Sequence, residues 1–496
     1  MKSIASARWE RAVSVCLAVV ALAAVVQLGY LTILYASIEG YIDHIEHSIA
    51  LGGWHVLQGL PLYQAIDDWP FFGNFYGPLV YLVQTVVFVF AQATIPLSKL
   101  ANALAVAGSF LFIFLHLRRR FDLGLISFGI IVIAANFLIF IPISVWNRPD
   151  PFLFFLVSAA LYAGGRFGGT PGAVFIGVCI GLAVNFKVHA FVYFLPLIVD
   201  VYGWRNLRRM AFIVAVSLAV FFLPFALPQV SFVNYVGVLF HVSQGKSVAS
   251  DLLRNTLTFA VFYLMPGLLL LGLALNGKRT DRRDMIYFAV LSVCIIISAY
   301  PASIPGSGIY HLAPLLPVVV DATARLLVRA DRPPWLKPVL MVIIPVAFLA
   351  VSFRSQINFL KNIDWLIDRE KVAREVAEAA SAYSDGSLQV GYGDSRKQYQ
   401  LTFYKPILAF AGQPVSVDAR VLMEAKSINF DISGRLVEEL RQCRTKYWLI
   451  PKGQQPFRMR SFYSSQDIFG SAPEVFAARY EKTAVLKYFD VWSCKP

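Results

Sequence analysis

The residues with the most chemical capacity stand in short polar islands between long apolar runs. The first island is Glu39-Gly-Tyr-Ile-Asp43-His44-Ile-Glu46-His47-Ser-Ile49. A carboxylate held there could accept the proton of an attacking hydroxyl. A second island, Trp146-Asn147-Arg148-Pro149-Asp150-Pro151, sets a guanidinium beside a carboxylate. The third, Asn185-Phe186-Lys187-Val188-His189, puts an ammonium between two apolar runs, and the fourth is Gly308-Ile-Tyr310-His311-Leu-Ala-Pro314. Lys246 and Arg254, in an expected outer loop from Gln229 to Asn255, add weaker cationic candidates. Preorganised cations stabilise charge on a leaving phosphate. Carboxylates facing such cations therefore suit a reaction that activates a hydroxyl and expels a phosphate carried on a lipid.

Each island also has a plainer reading. At about 100° per residue, Asp43, Glu46 and His47 share one helical face, while Ile42, Ile45, Ile49 and Val56 share another. That describes an amphipathic helix in the membrane interface with its carboxylates toward water. A metal site from His44, His47, His55 and Glu46 is conceivable, but the spacing matches no usual zinc pattern. Asp150 could serve as the ion-pair partner of Arg148 or as a helix N-cap, or the pair could stand at the mouth of an outward-facing cavity. A lysine at membrane depth marks a site by default, although at the end of a span Lys187 could simply snorkel to the interface.

The elements that position these groups follow from composition. Of 496 residues, 57% are hydrophobic and 15% charged, and the mean hydropathy is +0.62. An average soluble domain carries about 25% charged residues, so a soluble enzyme and a disordered chain are both excluded. The formal net charge of +14 comes from short basic clusters between apolar runs, which membrane topology explains without a nucleic-acid partner. A bilayer core needs roughly 20 apolar residues per helix. About eleven spans result, over residues 11–38, 97–117, 123–142, 151–165, 171–187, 188–203, 210–228, 256–276, 284–300, 311–328 and 338–353. With the N-terminus inside, the clusters at Arg118 to Arg120, Arg166, Arg205 to Arg209, Lys278 to Arg283 and Arg325 to Lys337 fall inside as well. The run from Pro78 to about Ile95 would invert every later cluster if it crossed, so it is expected to dip into or lie along the outer leaflet. No Lys or Arg occurs between Arg11 and Lys99, as befits a translocated loop. The first apolar run is too long for a signal peptide and lacks a small-residue cleavage site.

The fold expected is thus a polytopic α-helical membrane domain, residues 1–353, whose first outer loop, 39–96, carries interfacial helices. An extracytoplasmic α/β domain follows over residues 354–496. In it, Asp364 to Tyr383 and Gly434 to Arg444 read as helices, while Ser387 to Tyr392, Lys446 to Ile450 and Thr483 to Trp492 read as strands. The aromatic strands around Trp448 and Trp492 fit a buried sheet better than a sugar-stacking surface. Cys16, Cys179 and Cys294 lie in apolar runs, whereas Cys443 and Cys494 could pair if their domain faces an oxidising compartment. On this topology His44, His47, His55, His189, His241 and His311 lie toward the outer face and His116 inside.

Taken in order, these motifs resemble the polyprenyl-phosphate-sugar-dependent glycosyltransferases of the GT-C superfamily. The group in question includes the aminoarabinose and galacturonic acid transferases of lipid A and the protein O-mannosyltransferases. The resemblance rests on Asp43-His44-Ile-Glu46, Gly59-Leu-Pro61-Leu-Tyr63, Tyr76-Gly77-Pro78-Leu, Arg148-Pro149-Asp150, Lys187, and His311 through Pro317, and covers roughly residues 30–330. It implies an inverting transferase in the cell's inner membrane, moving a sugar from a polyprenyl-phosphate donor to a hydroxyl of a glycolipid, glycan or protein. It further implies Asp43 or Glu46 as general base, Asp150 with Arg148 orienting the acceptor or base, and Lys187 with His311 on the donor phosphate. His47, Tyr76, Lys246 and Arg254 would be weaker substrate contacts. Some members use a divalent cation and others do not, so that cofactor stays open. A lipid-linked glycan polymerase or ligase needs similar outer cations, and a transporter or flippase of lipid-linked sugars is the rival outside enzymology. A transporter usually shows related halves and broken helices at the midplane, and no internal repeat is seen here.

Overall fold

The computed structural model describes residues 4–65, 68, 70, 73–141, 145–243, 247–276, 281–329, 335–427, 430–462 and 465–496. Lys246, Lys278, Arg279 and Arg332 lie outside them. All the segments expected to span are helical. Among the described residues, seven helices are long and apolar enough to cross a membrane, including Trp9–Ser37, Ile95–Arg118, Arg282–Ala302 and Ile309–Arg329. Leu123–Ile139, Asp150–Arg166, Gly169–Val184 and Val188–Tyr202 are shorter. Only 6% of the most apolar window in Leu207–Ala226 is buried inside the protein, and its hydropathy is 2.1. Water would not tolerate such a surface, whereas hydrocarbon covers it at no cost.

Close helix approach depends on small residues. A Cβ on Gly181 would lie 2.6 Å from the carbonyl oxygen of Ser217, so glycine lets Gly169–Val184 and Leu207–Phe222 pack with touching backbones. At one end of the bundle His116, Arg325 and Tyr287 converge on Asp321 at 2.8, 2.7 and 3.1 Å. Arg325 and Arg283 also bind Asp200, at 2.8 and 2.9 Å, and Arg329 binds Asp284 at 2.6 Å. Basic clusters expected to share a face therefore do share one end of the molecule.

The other end carries the first loop and the C-terminal domain. Lys99 is fully buried and donates to the carbonyls of Tyr35, Ile38 and Gly40 at 3.0, 2.8 and 2.6 Å. It thereby satisfies the open C-terminal carbonyls of the first helix, Ile4–Ser37. The loop then forms His44–Leu57 and Pro78–Phe90. Pro78–Phe90 has 13 residues, too few for a hydrocarbon core of about 30 Å. Its entry meets Asn185 and Phe186, and Phe88 near its exit packs on Phe410 of the C-terminal domain, so both ends lie at the same end of the bundle. A Cβ on Gly77 would stand 2.0 Å from the Asn185 carbonyl oxygen. Only glycine fits that crossing.

Several expectations need correction. The stretch Gln229 to Asn255 is not simply a loop: it contains the helix Phe232–Ser243 and the start of Ser250–Asn276. The polar helix near Asp364 is continuous with the last span in one helix, Leu336–Ala382. Thr483 to Trp492 is not one strand but the hairpin of β3 (Tyr480–Val485) and β4 (Phe489–Cys494). With β1 (Leu388–Val390) and β2 (Tyr447–Pro451) these form a sheet of order β1-β2-β4-β3, in which β1 and β2 are parallel and the other pairings antiparallel. Trp448 is fully buried at its centre. Cys443 and Cys494 form a disulfide that ties the last strand to the segment after Ser433–Arg441. The domain's core also takes in Tyr41, Ala50, Phe88 and Ala93 from the first loop.

Candidate active site

Asp43 is the N-cap of His44–Leu57. Its side chain accepts from the Ile45 amide at 2.9 Å, while Glu46 accepts from the Asp43 amide at 3.0 Å, a reciprocal capping box. The two carboxylates then diverge in environment. Glu46 is fully buried and also accepts from Tyr35 at 2.7 Å, the Ile42 amide at 3.0 Å and the Asn147 amide at 2.8 Å. Burial raises its pKa, and Lys99 and these donors offset that only in part. Asp43 keeps 22% of its side chain exposed, and one of its oxygens lies 3.9 Å from Arg148. Burial opposes its charge too, but Arg148, His44 and the Ile45 amide outweigh it and hold the carboxyl below its usual value.

Arg148 is fixed by its surroundings. Asn102 donates to the carbonyls of Trp146 and Arg148 at 2.8 and 2.7 Å, and Gln84 donates to Asn147 at 2.8 Å. The guanidinium lies 4.2 Å over the Trp146 ring and 5.2 Å from the Tyr310 ring, and donates to the Tyr76 hydroxyl at 2.9 Å. Lys187 comes from the short link after Gly169–Val184 and meets Asp150 at 2.6 Å. Its ammonium stands 5.7 Å from the Tyr76 ring and 5.5 Å from the Tyr310 ring. His311 stacks on His189, with ring centroids 5.3 Å apart. Arg148, Lys187 and His311 thus line one cavity of about 230 Å³, with Tyr76 and Tyr310 between them. Asp43 and Asp150 stand behind this wall, each paired with one of its cations.

Buried polar atoms normally have partners. Around this cavity Nε of Arg148, Oδ2 of Asp150 and Nδ1 of His311 are buried without one. The cavity wall includes Val188, which is 44% exposed, so a polar pocket reaches the apolar outer surface of the bundle. It can hold an anion between two cations while a hydrocarbon tail runs into lipid.

The geometry corrects several sequence-based placements. Asp43, Glu46 and His47 do not share an open face toward water: Glu46 turns into the bundle against Tyr35 and Asn147, Asp43 faces Arg148, and the C-terminal domain covers His47 and Ser48. Ser48 donates to Asp418 at 2.6 Å, and His47 stacks on Phe403 with its ring 3.8 Å from Asp418. Burial lowers the His47 pKa to about 3 against the pull of Asp418, which leaves the ring neutral. Glu46 and His47 do not line the cavity. Asp150 is neither an N-cap nor the partner of Arg148: Pro149 holds the cap position, and Lys187 takes the carboxylate. Arg254 is 77% exposed and pairs with Asp251 at 3.6 Å, away from the cavity. Among the described residues no three His, Cys, Asp or Glu side chains assemble as a metal site, and the set around His44, His47, His55 and Glu46 forms none.

Other cavity residues were not singled out from the sequence. His189 and Tyr310 are sequence neighbours of Lys187 and His311, and that proximity was the available signal. Arg420 and Glu424 also line the cavity, from the helix Ala419–Ser427 of the C-terminal domain. Nothing in the sequence ties that helix to the first loop.

No family model and no curated relative matches the chain. Solved structures do. ArnT from Cupriavidus metallidurans bound to undecaprenyl phosphate superposes with a TM-score of 0.59 at 14% identity, covering 96% of this chain and 97% of that one. The same protein in the apo state gives 0.58 at 13% identity, with the same coverage. Arabinosyltransferase EmbB from Mycobacterium smegmatis gives 0.44 at 12% identity, over 86% of this chain and 42% of that one. Spans, first-loop helices and C-terminal domain together therefore have the ArnT architecture, and the chain has a GT-C fold.

Proposed function

We propose that the chain is an inverting glycosyltransferase that moves a sugar from a polyprenyl-phosphate donor to an acceptor hydroxyl at the non-cytoplasmic face of the inner membrane. The observation that carries this reading is the cavity in which Arg148, Lys187 and His311 converge beside Asp43 while its wall opens toward lipid. Undecaprenyl phosphate in the similarly folded ArnT supports the donor class.

In this reading the donor phosphate sits against Arg148 and Lys187, with His311 donating or accepting at its edge. The acceptor oxygen attacks the anomeric carbon from the side opposite the phosphate and loses its proton to Asp43. A carbon–oxygen bond forms to the acceptor and the bond to phosphate oxygen breaks. Polyprenyl phosphate leaves with the bonding pair, and the anomeric centre inverts. Arg148 serves twice, keeping Asp43 ionised as a base and binding the charge that accumulates on the leaving group. Tyr76 and Tyr310 fix the positions of both cations. The acceptor is a glycolipid, a cell-envelope glycan or a protein. Burial of Glu46 under four donors, Tyr35 and the amides of Ile42, Asp43 and Asn147, supports a part in shaping the loop, with Asp43 as the base.

The test uses the purified full chain in lipid nanodiscs with undecaprenyl phosphate and a panel of its glycosides. Asp43→Asn should reduce turnover by about 10²–10⁴-fold while undecaprenyl phosphate binds as before. Lys187→Ala should weaken that binding. Unchanged turnover in Asp43→Asn removes the residue from its role, and failure of the wild type to bind any of these lipids removes the proposal.

A further inference from the structure

We propose that a second cavity, at the seam between the end of His44–Leu57 and the C-terminal domain, binds an uncharged oligosaccharide, independently of the charged cavity and of the reading given for it. This cavity has a volume of about 420 Å³ and shares no lining residue with the first. Trp54, His55, Gln58 and Gln64 line it from the first loop, and Gln413 and Pro414 line it from the C-terminal domain. Among the described residues of its wall there is no Asp, Glu, Lys or Arg. Burial lowers the His55 pKa to about 4, so the imidazole adds no charge at neutral pH.

Three primary amides and an indole suit a pyranose. Each amide offers two donors and an acceptor, which matches hydroxyls that both donate and accept, while an aromatic ring packs on the apolar C–H face of the sugar. An ionised ligand finds no counter-charge among those groups and would lose water in reaching them. The same amides disfavour a hydrocarbon tail. Gln58, Gly412 and Pro414 of the wall are exposed, so the cavity is open at the surface.

The wall is held in place before any ligand arrives. Gly59, at φ 76°, ends His44–Leu57 in a turn whose Gly59 and Leu60 amides donate to the carbonyls of Val56 and His55 at 3.0 and 2.9 Å. That turn sets Leu60 and Pro61 in the cavity wall, which gives the Gly59-Leu-Pro61 motif a local purpose. The Trp54 ring meets Phe410 and Phe88 edge to face, with centroids 5.3 and 6.4 Å away. On the side of the C-terminal domain, the side-chain oxygen of Gln413 accepts from the Leu388 amide, at the start of β1, at 2.9 Å. That bond fixes the amide and leaves its NH₂ group as a donor. Preformed walls with a few placed polar groups are the usual construction of a ligand site.

The experiment measures binding of neutral tetrasaccharides of glucose, galactose and mannose, a uronic tetrasaccharide and an uncharged tetrapeptide to the full chain in nanodiscs by ligand-observed NMR. Undecaprenyl phosphate serves as the reference ligand. At least one neutral tetrasaccharide is expected to bind with a Kd of about 1 mM or tighter, and the uronic one at least about threefold more weakly. Gln58→Ala, at an exposed position, should weaken the neutral sugar about threefold or more. Trp54→Ala should weaken it about tenfold or more. Both variants should bind undecaprenyl phosphate as the wild type does, and thermal denaturation verifies that both fold. Absence of binding by all three neutral tetrasaccharides, affinity unaltered in both variants, or preference for the uronic sugar or the peptide overturns the assignment while leaving the transferase reading intact. Failure of the wild type to bind undecaprenyl phosphate while a neutral tetrasaccharide binds overturns that reading and upholds this one.

Discussion

Asp43 and Glu46 are three residues apart in the same capping box, yet only one is suited to accept a proton. Glu46 is saturated with donors and sealed; Asp43 keeps a free edge and a guanidinium neighbour. The sequence shows both acids and their spacing. It cannot show that Glu46 turns back onto Tyr35 and Asn147, or that a domain encoded more than three hundred residues later closes over His47 and Ser48, which is why the helix is misread as open to water from periodicity alone. The charge environment has a measurable sign. In the proposed role Asp43 works as carboxylate, so kcat/KM should rise with pH as it loses its proton, with Arg148 holding that limb below the usual carboxylate range. In Arg148→Gln burial acts with less opposition, and the limb should move to higher pH, seen in the pH profile of residual activity. A limb that stays in place would detach Arg148 from Asp43. The same lowered pKa means that Asp43 stabilises the fold above the unfolded carboxylate value and stops doing so as pH falls through its folded value.

Among the elements, His44–Leu57 matters most, because it carries Asp43 at its start and rests on the C-terminal domain along its side. Ser48→Ala leaves Asp418 without its shortest donor and should cost about 1–3 kcal/mol, read as a lower unfolding midpoint. An unshifted midpoint would mean that this contact does not bind loop to domain. Gly77→Ala places a methyl group on the Asn185 carbonyl, and should lower affinity for undecaprenyl phosphate by displacing Tyr76 and Lys187 on either side of that crossing. Long apolar elements were legible: the helices that carry Arg148, Lys187 and His311 to the cavity follow from hydropathy and basic clusters. Short or composite ones were not. Phe232–Ser243 has 12 residues, below what a span search registers, and the segments after Lys187 and Gly308 start as 3₁₀ turns, Val188–Phe194 and Ile309–Leu315, which no period of 3.6 reveals. Arg420 and Glu424 were hidden because an Arg and a Glu four apart on a polar helix look like any solvated pair.

At the scale of the whole molecule the two ends differ in character. One is laced by Asp200, Asp284 and Asp321 with their arginines, and the other opens a cavity beneath a disulfide-braced domain. With the domain end outside, a membrane-impermeant thiol reagent should label Lys397→Cys in intact cells and Arg205→Cys only after permeabilisation, both residues being exposed. The opposite pattern would invert the orientation. Cys443→Ser removes a bridge that closes 51 residues and should lower stability by about 2–4 kcal/mol, measured by thermal denaturation without reductant. The shared core of Tyr41, Ala50 and Phe88 with Val376, Leu388 and Trp448 carries a timing consequence for biosynthesis. The ribosome makes the first loop early, but the strands and helices that finish its packing emerge last. Throughout that interval the loop waits with its apolar side uncovered, so a stop codon near residue 380 would yield a chain whose spans insert while this loop stays open to proteases.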